Sequence, residues 1–152
     1  MAHPEERLAD LGLSVPEVPK PVAVYVPAVR SGNFVFTSGQ LPMRSGELMQ
    51  TGKVGGDVSP DEAVECAQQC ALNAIAAVKA ELGDLDLVKR VVKVVVFVAS
   101  TPDFTGQPQV ANGASELFGS VFADAGVHAR SAVGVPVLPL DAPVEVELVV
   151  EI

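Results

Sequence analysis

One segment near the middle of the chain limits the fold more than any other, because a capped helix leads directly into an apolar strand. In SPDEAVECAQQCALNAIAAVKAELG, Ser59 is a predicted N-cap, Glu62 completes a capping box, and Gly83 offers a left-handed stop. Apolar residues recur there every three or four positions and form one stripe. Its members are Val64, Ala67, Ala71, Ile75, Val78 and Leu82. The following RVVKVVVFVAS is rich in β-branched residues and predicts a strand that is covered on both faces.

The segments before this unit predict further strands. VAVYVPAVRSGNFVFTSGQLP contains two β-rich runs around Ser31-Gly32-Asn33, a turn signal, so it predicts a hairpin. A small strand is expected near Glu47. A second helix is predicted from about Gln109 to Ala125.

Two strands, ARSAVGVPVL and PVEVELVVEI, close the chain. The resulting order is strand, strand, helix, strand, helix, strand, strand. It predicts an α/β sandwich of the α+β class, with a mixed sheet and both helices on one face. No helix remains for the other face, and an apolar sheet with one uncovered face predicts self-association.

Length and charge narrow the range of functions. The 152 residues predict a single domain over 1–152, in which 1–21 form a short helix and a Pro-rich arm. The net charge of −9 repels phosphate, and the densest basic group is only Lys89, Arg90 and Lys93, so nucleic acid is not an expected partner. The chain lacks a signal-peptide pattern and any apolar run of the ~18 residues that a membrane span needs. It is therefore expected to be cytoplasmic and not to bind membranes.

Several kinds of chemistry are disfavoured by the residues. Ser38, His128 and Asp141 are the right types for a catalytic triad, but TSGQ is not a nucleophile elbow. His3 and His128 do not make up a metal site, so no metal is expected. Cys66 and Cys70 lie four apart in the predicted helix. Buried helix positions are favoured for them over a redox or metal pair.

Arg130 is the residue that requires an explanation. On a strand, Arg130, Ala132 and Gly134 share one face, and the small neighbours leave room for a guanidinium to bind a carboxylate in bidentate fashion. The alternative is an edge arginine paired with a surface acid. Glu145 either faces solvent or, if the strands pair, shares the face of Arg130 and acts on a water or a substrate proton. The residues alone indicate a carboxylate-binding pocket and leave open whether it is hydrolytic.

Three stretches of the sequence resemble those of a known protein family. YVPAVRSGNFVFTSGQLP, ARSAVGVPVLP and VEVELVVEI, in this order and with helices between them, resemble the Rid (YjgF-type) family of reactive intermediate deaminases. The resemblance runs from about Tyr25 to the carboxyl terminus. It implies a chorismate-mutase-like fold, a homotrimer whose sheets form a central barrel, and three pockets between subunits. The implied reaction is hydrolysis of a small 2-imino or 2-enamino acid to a 2-keto acid and ammonia, without a cofactor.

The resemblance also implies roles for individual residues. Arg130 would clamp the substrate carboxylate, and Glu145 would position the attacking water. The positions implied to bind substrate are Tyr25, Ser38, Gly39, Asn112 and Ala132. Many family members carry cysteine at the position of Ala132 and an acidic residue at that of Gly134, so this chain is expected to have a larger, less polar pocket and to belong to a divergent subgroup.

Two other functions remain as alternatives. One is a trimer that binds a small carboxylate metabolite without catalysis. The other is an endoribonuclease or translation inhibitor, a description attached to relatives in the family. The acidic chain, which has no basic stripe, argues against the second.

Overall fold

A mixed five-stranded sheet forms the centre of the protein, in a computed structural model that describes residues 2–19 and 24–152. In chain order the strands are β1 (Ala28–Ser31), β2 (Phe34–Thr37), β3 (Met43–Arg44), β4 (Glu47–Leu48), β5 (Arg90–Ala99), β6 (Ala129–Val135) and β7 (Val144–Glu151). The sheet order is β1-β2-β7-β5-β6, and β3 and β4 pair separately. Only the pair β5 and β6 is parallel in the larger sheet. The predicted hairpin is present as β1 and β2, and the small strand near Glu47 as β4.

Three helices accompany the sheet: α1 (Pro4–Asp10), α2 (Pro60–Leu82) and α3 (Gln107–Phe122). The capping box of α2 is confirmed, because Ser59 Oγ accepts from the Glu62 amide at 3.1 Å while the Glu62 carboxylate accepts from the Ser59 amide. Gly83 ends α2 with a left-handed φ of 82°, as predicted. The N-terminal helix is confirmed as α1, whereas positions 20 and 21 of the predicted arm lie outside the described residues.

The third helix differs slightly from its prediction. It begins at Gln107, two residues earlier than expected, and gives way after Phe122 to a 3₁₀ turn over Ala123–Gly126. Its N-cap is Gly106, which has no side chain to cap the helix. The sequence therefore carries no N-cap signal that could have located the start.

The helices α2 and α3 cover one face of the sheet. Alternate residues of β7 point into this core and are fully or almost fully buried: Val144, Val146, Leu148 and Val150. Strand β5 shows the same alternation through most of its length, so it is covered on one face only. The expectation of a strand covered on both faces is therefore wrong for the single chain, because a continuous apolar run does not reveal which face the helices take.

The other face of the sheet carries exposed apolar side chains. Val29, Phe36 and Val133 are each between 43% and 50% exposed. Phe97 and Val149 on the central strands are partly buried. The predicted mixed sheet of the α+β class, with helices on one side and an uncovered apolar face, is confirmed in the described part of the chain. None of the helices in these ranges is long and apolar enough to cross a membrane.

Candidate functional site

Arg130 lies on the edge strand β6 and points toward the helices. It pairs with Val94 of β5, whose side chain is fully buried in the helix-covered core. Because directly paired residues share a face, the guanidinium lies on the helical side of the sheet. Ala132 and Gly134 follow on the same face, as strand alternation predicts. Strand pairing and a nearby helix thus place a partly buried cation at the edge of the sheet.

Two side chains of α3 hold this guanidinium. Arg130 Nη1 donates to Asn112 Oδ1 at 2.7 Å and to Ser115 Oγ at 3.2 Å. Among the described residues, no carboxylate lies within ion-pair distance of Arg130. The alternative of an edge arginine paired with a surface acid is therefore not what the single chain forms. Asn112, predicted to lie near the pocket, is in direct contact with Arg130.

Ser115 and His128 are the site residues that the sequence reasoning missed. Ser115 Oγ lies 2.9 Å from His128 Nε2, and His128 Nδ1 lies 2.6 Å from the carbonyl oxygen of Gly126. The spacing of Asn112 and Ser115, three apart on one helix, was a signal, because such residues share a helix face. Nothing in the sequence indicated that this face would meet β6.

Glu145 lies on the opposite face of the sheet from Arg130. On β7 it pairs with Phe97 of β5, while Val144 and Val146 on either side point into the helical core. Strand β5 also separates β7 from β6. Within one chain, therefore, Glu145 does not share the face of Arg130, which resolves the alternative left open by the sequence.

The carboxylate of Glu145 is partly buried and packs against a glycine. Burial raises the pKa of Glu145, and the neighbouring Glu147 raises it further. A Cβ at Gly39 would lie 1.8 Å from Glu145 Oε1, so only glycine leaves space for the carboxylate at this position. Gly39, predicted as a pocket residue, and Glu145 are thus in direct contact.

Tyr25, Ser38 and Gly39 lie close together beside one large cavity. Ser38 Oγ donates to the Val26 carbonyl at 2.6 Å, which fixes the segment that carries Tyr25. Tyr25 is 45% exposed. Tyr25 and Gly39 both line a cavity of about 920 Å³, whose wall also includes residues of the N-terminal arm: Leu13, Ser14, Pro16, Glu17, Val18 and Pro19. The arm therefore borders the Tyr25 side of the site.

The region around Gly134 differs from its prediction. The amide nitrogen Nε2 of Gln107 lies 2.8 Å from where a Cβ of residue 134 would be, and Ser100 Oγ lies 3.3 Å from it. Gln107 Nε2 also donates to Ser100 Oγ. The expectation of a larger and less polar pocket is therefore wrong at this position, because a polar side chain from the start of α3 fills the space. Ala132 packs partly buried against the core.

The structure does not assemble a catalytic triad from Ser38, His128 and Asp141. Ser38 donates to Val26, His128 contacts Ser115 and Gly126, and Asp141 forms an ion pair with Lys53. Each of the three has different partners. No group of three His, Cys, Asp or Glu residues in the described ranges is placed to hold a metal ion.

Both cysteines are buried in α2, which confirms the prediction of core positions. Burial raises the pKa of Cys66 to about 11. Cys70 Sγ donates to the Val144 carbonyl at 3.6 Å. Because the thiolate is the reactive form, both thiols are poorly suited to redox or nucleophilic chemistry.

Comparisons with known proteins agree with this architecture. Residues 16–152 match the family model described as endoribonuclease L-PSP. The chain is 47% identical to protein TCP17 of Trypanosoma cruzi, over 95% of this chain and 91% of that protein. It is 36% identical to a 2-iminobutanoate/2-iminopropanoate deaminase of Dermatophagoides farinae, over 92% of this chain and 94% of that protein.

A solved structure extends the likeness to the fold. The crystal structure of Atu1372, a protein of unknown function from Agrobacterium tumefaciens, is 48% identical and superposes with a TM-score of 0.92. The match covers 98% of this chain and 92% of that one. The resemblance to Rid (YjgF-type) proteins is confirmed, and the chain belongs to the endoribonuclease L-PSP (YjgF/Rid) family.

Proposed function

We propose that this protein hydrolyses small 2-imino or 2-enamino acids to 2-keto acids and ammonia, in pockets between the subunits of a homotrimer. The observation that carries the proposal is Arg130, a partly buried guanidinium that has no carboxylate partner among the described residues. A cation held in place without a counter-ion suits an anionic ligand. The carboxylate of an imino acid supplies that charge.

The hydrogen bonds of Arg130 indicate how it would bind such a ligand. Nη1 has two hydrogens, and these serve Asn112 and Ser115. Nε and Nη2 have no acceptor among the described residues. These two nitrogens lie on one edge of the planar guanidinium, so they can donate side by side to the two oxygens of a carboxylate.

Glu145 suits the proton transfers of the reaction. Hydrolysis begins when water attacks the imine carbon, and one water proton passes through the carboxylate to the nitrogen. The hydroxyl proton of the carbinolamine then passes through the carboxylate to the amino nitrogen, and the C–N bond breaks, so that ammonia leaves as the C=O bond of the keto acid forms. A carboxylate whose pKa is raised by burial exchanges protons more readily near neutral pH than an ordinary glutamate. The imine carbon is already electrophilic, so the proposed steps use no cofactor.

The positions of the two charged residues support a site between subunits. Arg130 and Glu145 lie on opposite faces of the sheet in one chain. A small substrate that contacts both therefore needs Arg130 from one chain and Glu145, with Tyr25 and Gly39, from another. The uncovered apolar face favours such an assembly. Asn112 would belong to the Arg130 side of the pocket.

The relatives favour the deaminase over the other functions. A protein 36% identical to this chain is named a 2-iminobutanoate/2-iminopropanoate deaminase, and imino acids carry the carboxylate that Arg130 suits. The name TCP17 specifies no reaction. The family description names an endoribonuclease, but a net charge of −9 opposes binding of RNA phosphates.

The test is the rate of 2-keto acid release from imines generated in solution. Wild-type protein should accelerate release, and Arg130→Ala should lose most of the gain. Arg7→Ala, which removes an arginine of α1 that donates to the Val121 carbonyl and does not contact Arg130, Asn112 or Ser115, serves as the control and should retain the activity. Equal rates for wild type and Arg130→Ala would contradict the proposal. Arg130-dependent binding of a 2-keto acid without acceleration of any imine would favour the non-catalytic carboxylate binder instead.

A further inference from the structure

A chain of hydrogen bonds leads from Arg130 into the helical layer through two side chains that the proposed reaction does not use. Arg130 Nη1 donates to Ser115 Oγ at 3.2 Å, Ser115 Oγ lies 2.9 Å from His128 Nε2, and His128 Nδ1 lies 2.6 Å from the Gly126 carbonyl oxygen. The chain begins at the proposed carboxylate clamp and ends at the backbone of the turn that follows α3. The chain therefore links the guanidinium of Arg130 to the backbone and can hold it in one orientation.

The chemistry of the four groups gives the chain one direction. A backbone carbonyl only accepts, so His128 Nδ1 carries the hydrogen that is donated to Gly126. In the neutral ring Nε2 is then an acceptor, and the Ser115 hydroxyl donates to it. The lone pairs of Ser115 Oγ thereby remain for Arg130. Each group therefore donates a hydrogen bond to the next, from the guanidinium to the serine, from the serine to the histidine and from the histidine to the backbone carbonyl.

The end of the chain is anchored in closely packed structure. The ring of His128 meets Phe118 of α3 edge to face, with ring centres 6.0 Å apart. Gly126 is buried, and a Cβ there would lie 2.3 Å from the Phe118 carbonyl oxygen. The turn is therefore pressed against α3, so the Gly126 carbonyl is a fixed point for the imidazole. This packing makes the chain a brace between helix and strand.

We propose that Ser115 and His128 are positioning residues that fix the guanidinium of Arg130, so that its Nε and Nη2 edge faces the substrate carboxylate. Asn112 and Ser115 take the two hydrogens of Nη1, which fixes the rotation of the guanidinium plane. His128 fixes the hydroxyl of Ser115 as an acceptor toward Arg130. The inference rests on the proposed carboxylate clamp and adds two residues that do not touch the substrate.

The proposal predicts a particular kinetic effect for Ser115→Ala. The brace acts on an interaction that the bound substrate and the transition state share, so its loss raises KM and leaves kcat nearly unchanged. The Kd for a 2-keto acid, measured by calorimetry, should rise by about tenfold together with KM, as expected for weakening a hydrogen bond to a charged group. Ser115→Thr keeps the hydroxyl and should restore both values. Ser120→Ala, at an exposed position of the same helix, is the matched control and should change neither.

His128→Phe provides a second route to the same test, since it keeps the aromatic packing and removes the acceptor Nε2. It should raise Kd as Ser115→Ala does. Because the two residues act through one chain, the double variant should bind no more weakly than either single variant. Thermal unfolding of every variant shows whether a change in Kd reflects loss of the fold.

The outcomes separate this inference from the function on which it rests. If Arg130→Ala abolishes 2-keto acid binding while folded Ser115→Ala and His128→Phe leave Kd unchanged, the clamp stands and the positioning role is overturned. Additive effects in the double variant would also overturn it, since they would mean independent contributions. If Arg130→Ala itself binds like wild type, the proposed function fails first.

Discussion

At the residue scale, the surroundings of Glu145 suit the proton transfer that we propose for it. Its carboxylate is partly buried, packs against Gly39, and has Glu147 two residues away on the same face of β7. Both the burial and the neighbouring charge disfavour ionisation. Arg130 has the complementary property, because its cation has hydrogen-bond partners from α3 and no counter-ion among the described residues.

The raised pKa of Glu145 predicts the pH dependence of activity. If the ionised carboxylate takes the proton, activity falls as the pH drops through the raised pKa, so the acid limb lies above that of an ordinary glutamate. Glu145→Gln should abolish this limb along with most of the activity. Glu147→Gln removes one cause of the shift and should move the limb to lower pH. A pH–rate profile of the three proteins is the measurement, and a limb that persists in Glu145→Gln would contradict this role.

The same shift predicts an effect on stability. A group whose pKa is raised in the folded state contributes stability that is present below its unfolded pKa and is lost as pH rises through the folded pKa. At neutral pH, Glu145→Gln should therefore increase the free energy of unfolding, while at acid pH the two proteins should converge. Urea unfolding across this pH range measures the difference.

Gly39→Ala tests the contact between glycine and carboxylate. The added Cβ would overlap Glu145 Oε1, which is the far end of a flexible side chain and can move aside. The free energy of unfolding should therefore change by less than about 1 kcal/mol. Activity should fall by about 100-fold or more, because the carboxylate is displaced from the reacting atoms. Full activity in Gly39→Ala would show that the position of Glu145 does not matter.

Strand alternation explains which parts of the site could be predicted at this scale. It placed Arg130, Ala132 and Gly134 on one face from the sequence alone. It could not place Ser115 beside Arg130, because a contact between a helix and a strand depends on how they pack. The face of Glu145 relative to that of Arg130 likewise depends on the registers of β6 and β7 against β5, which no local pattern reveals.

At the element scale, the close packing of α2 and α3 holds the site together, because α3 carries both side chains that hold Arg130. The two helices approach closely at Gly113, where a Cβ would lie 2.2 Å from the Val64 carbonyl oxygen of α2. The bounds of α2 were predictable because the sequence contains its capping residues, Ser59 and Gly83. The start of α3 was harder to locate, since Gly106 has no capping side chain and Pro108 in the first turn is the signal that marks it.

A pair of substitutions on α3 tests this packing. Gly113→Ala forces the two helices apart and should lower the free energy of unfolding by about 2 kcal/mol. Gly119→Ala meets no atom within 4 Å and should raise it by about 0.5–1 kcal/mol through helix propensity. Urea unfolding of both variants is the measurement. A change of the same sign in both would contradict the close approach at Gly113.

At the scale of the whole molecule, the sheet has one face covered by helices and one face that carries exposed apolar side chains and the partly buried Glu145 and Glu147. The number of helices predicted from the sequence indicated this asymmetry, and the structure confirms it. Neither the sequence pattern nor the structure of one chain specifies how many copies of the protein assemble. The proposed homotrimer predicts a sedimentation mass of about three times the 15.7 kDa chain.

The central claim is that Arg130 and Glu145 act on one substrate from different subunits, and mixing two inactive variants tests it most directly. Arg130→Ala and Glu145→Gln chains, differently tagged and co-expressed, form mixed trimers that carry both tags. A pocket is competent when its Arg130 comes from a Glu145→Gln chain and its Glu145 from an Arg130→Ala chain. In a cyclic trimer that holds two chains of one variant and one of the other, this combination occurs in about one third of the pockets. The account predicts 2-keto acid release at about that fraction of the wild-type rate, whereas mixed trimers as inactive as either variant alone would contradict it.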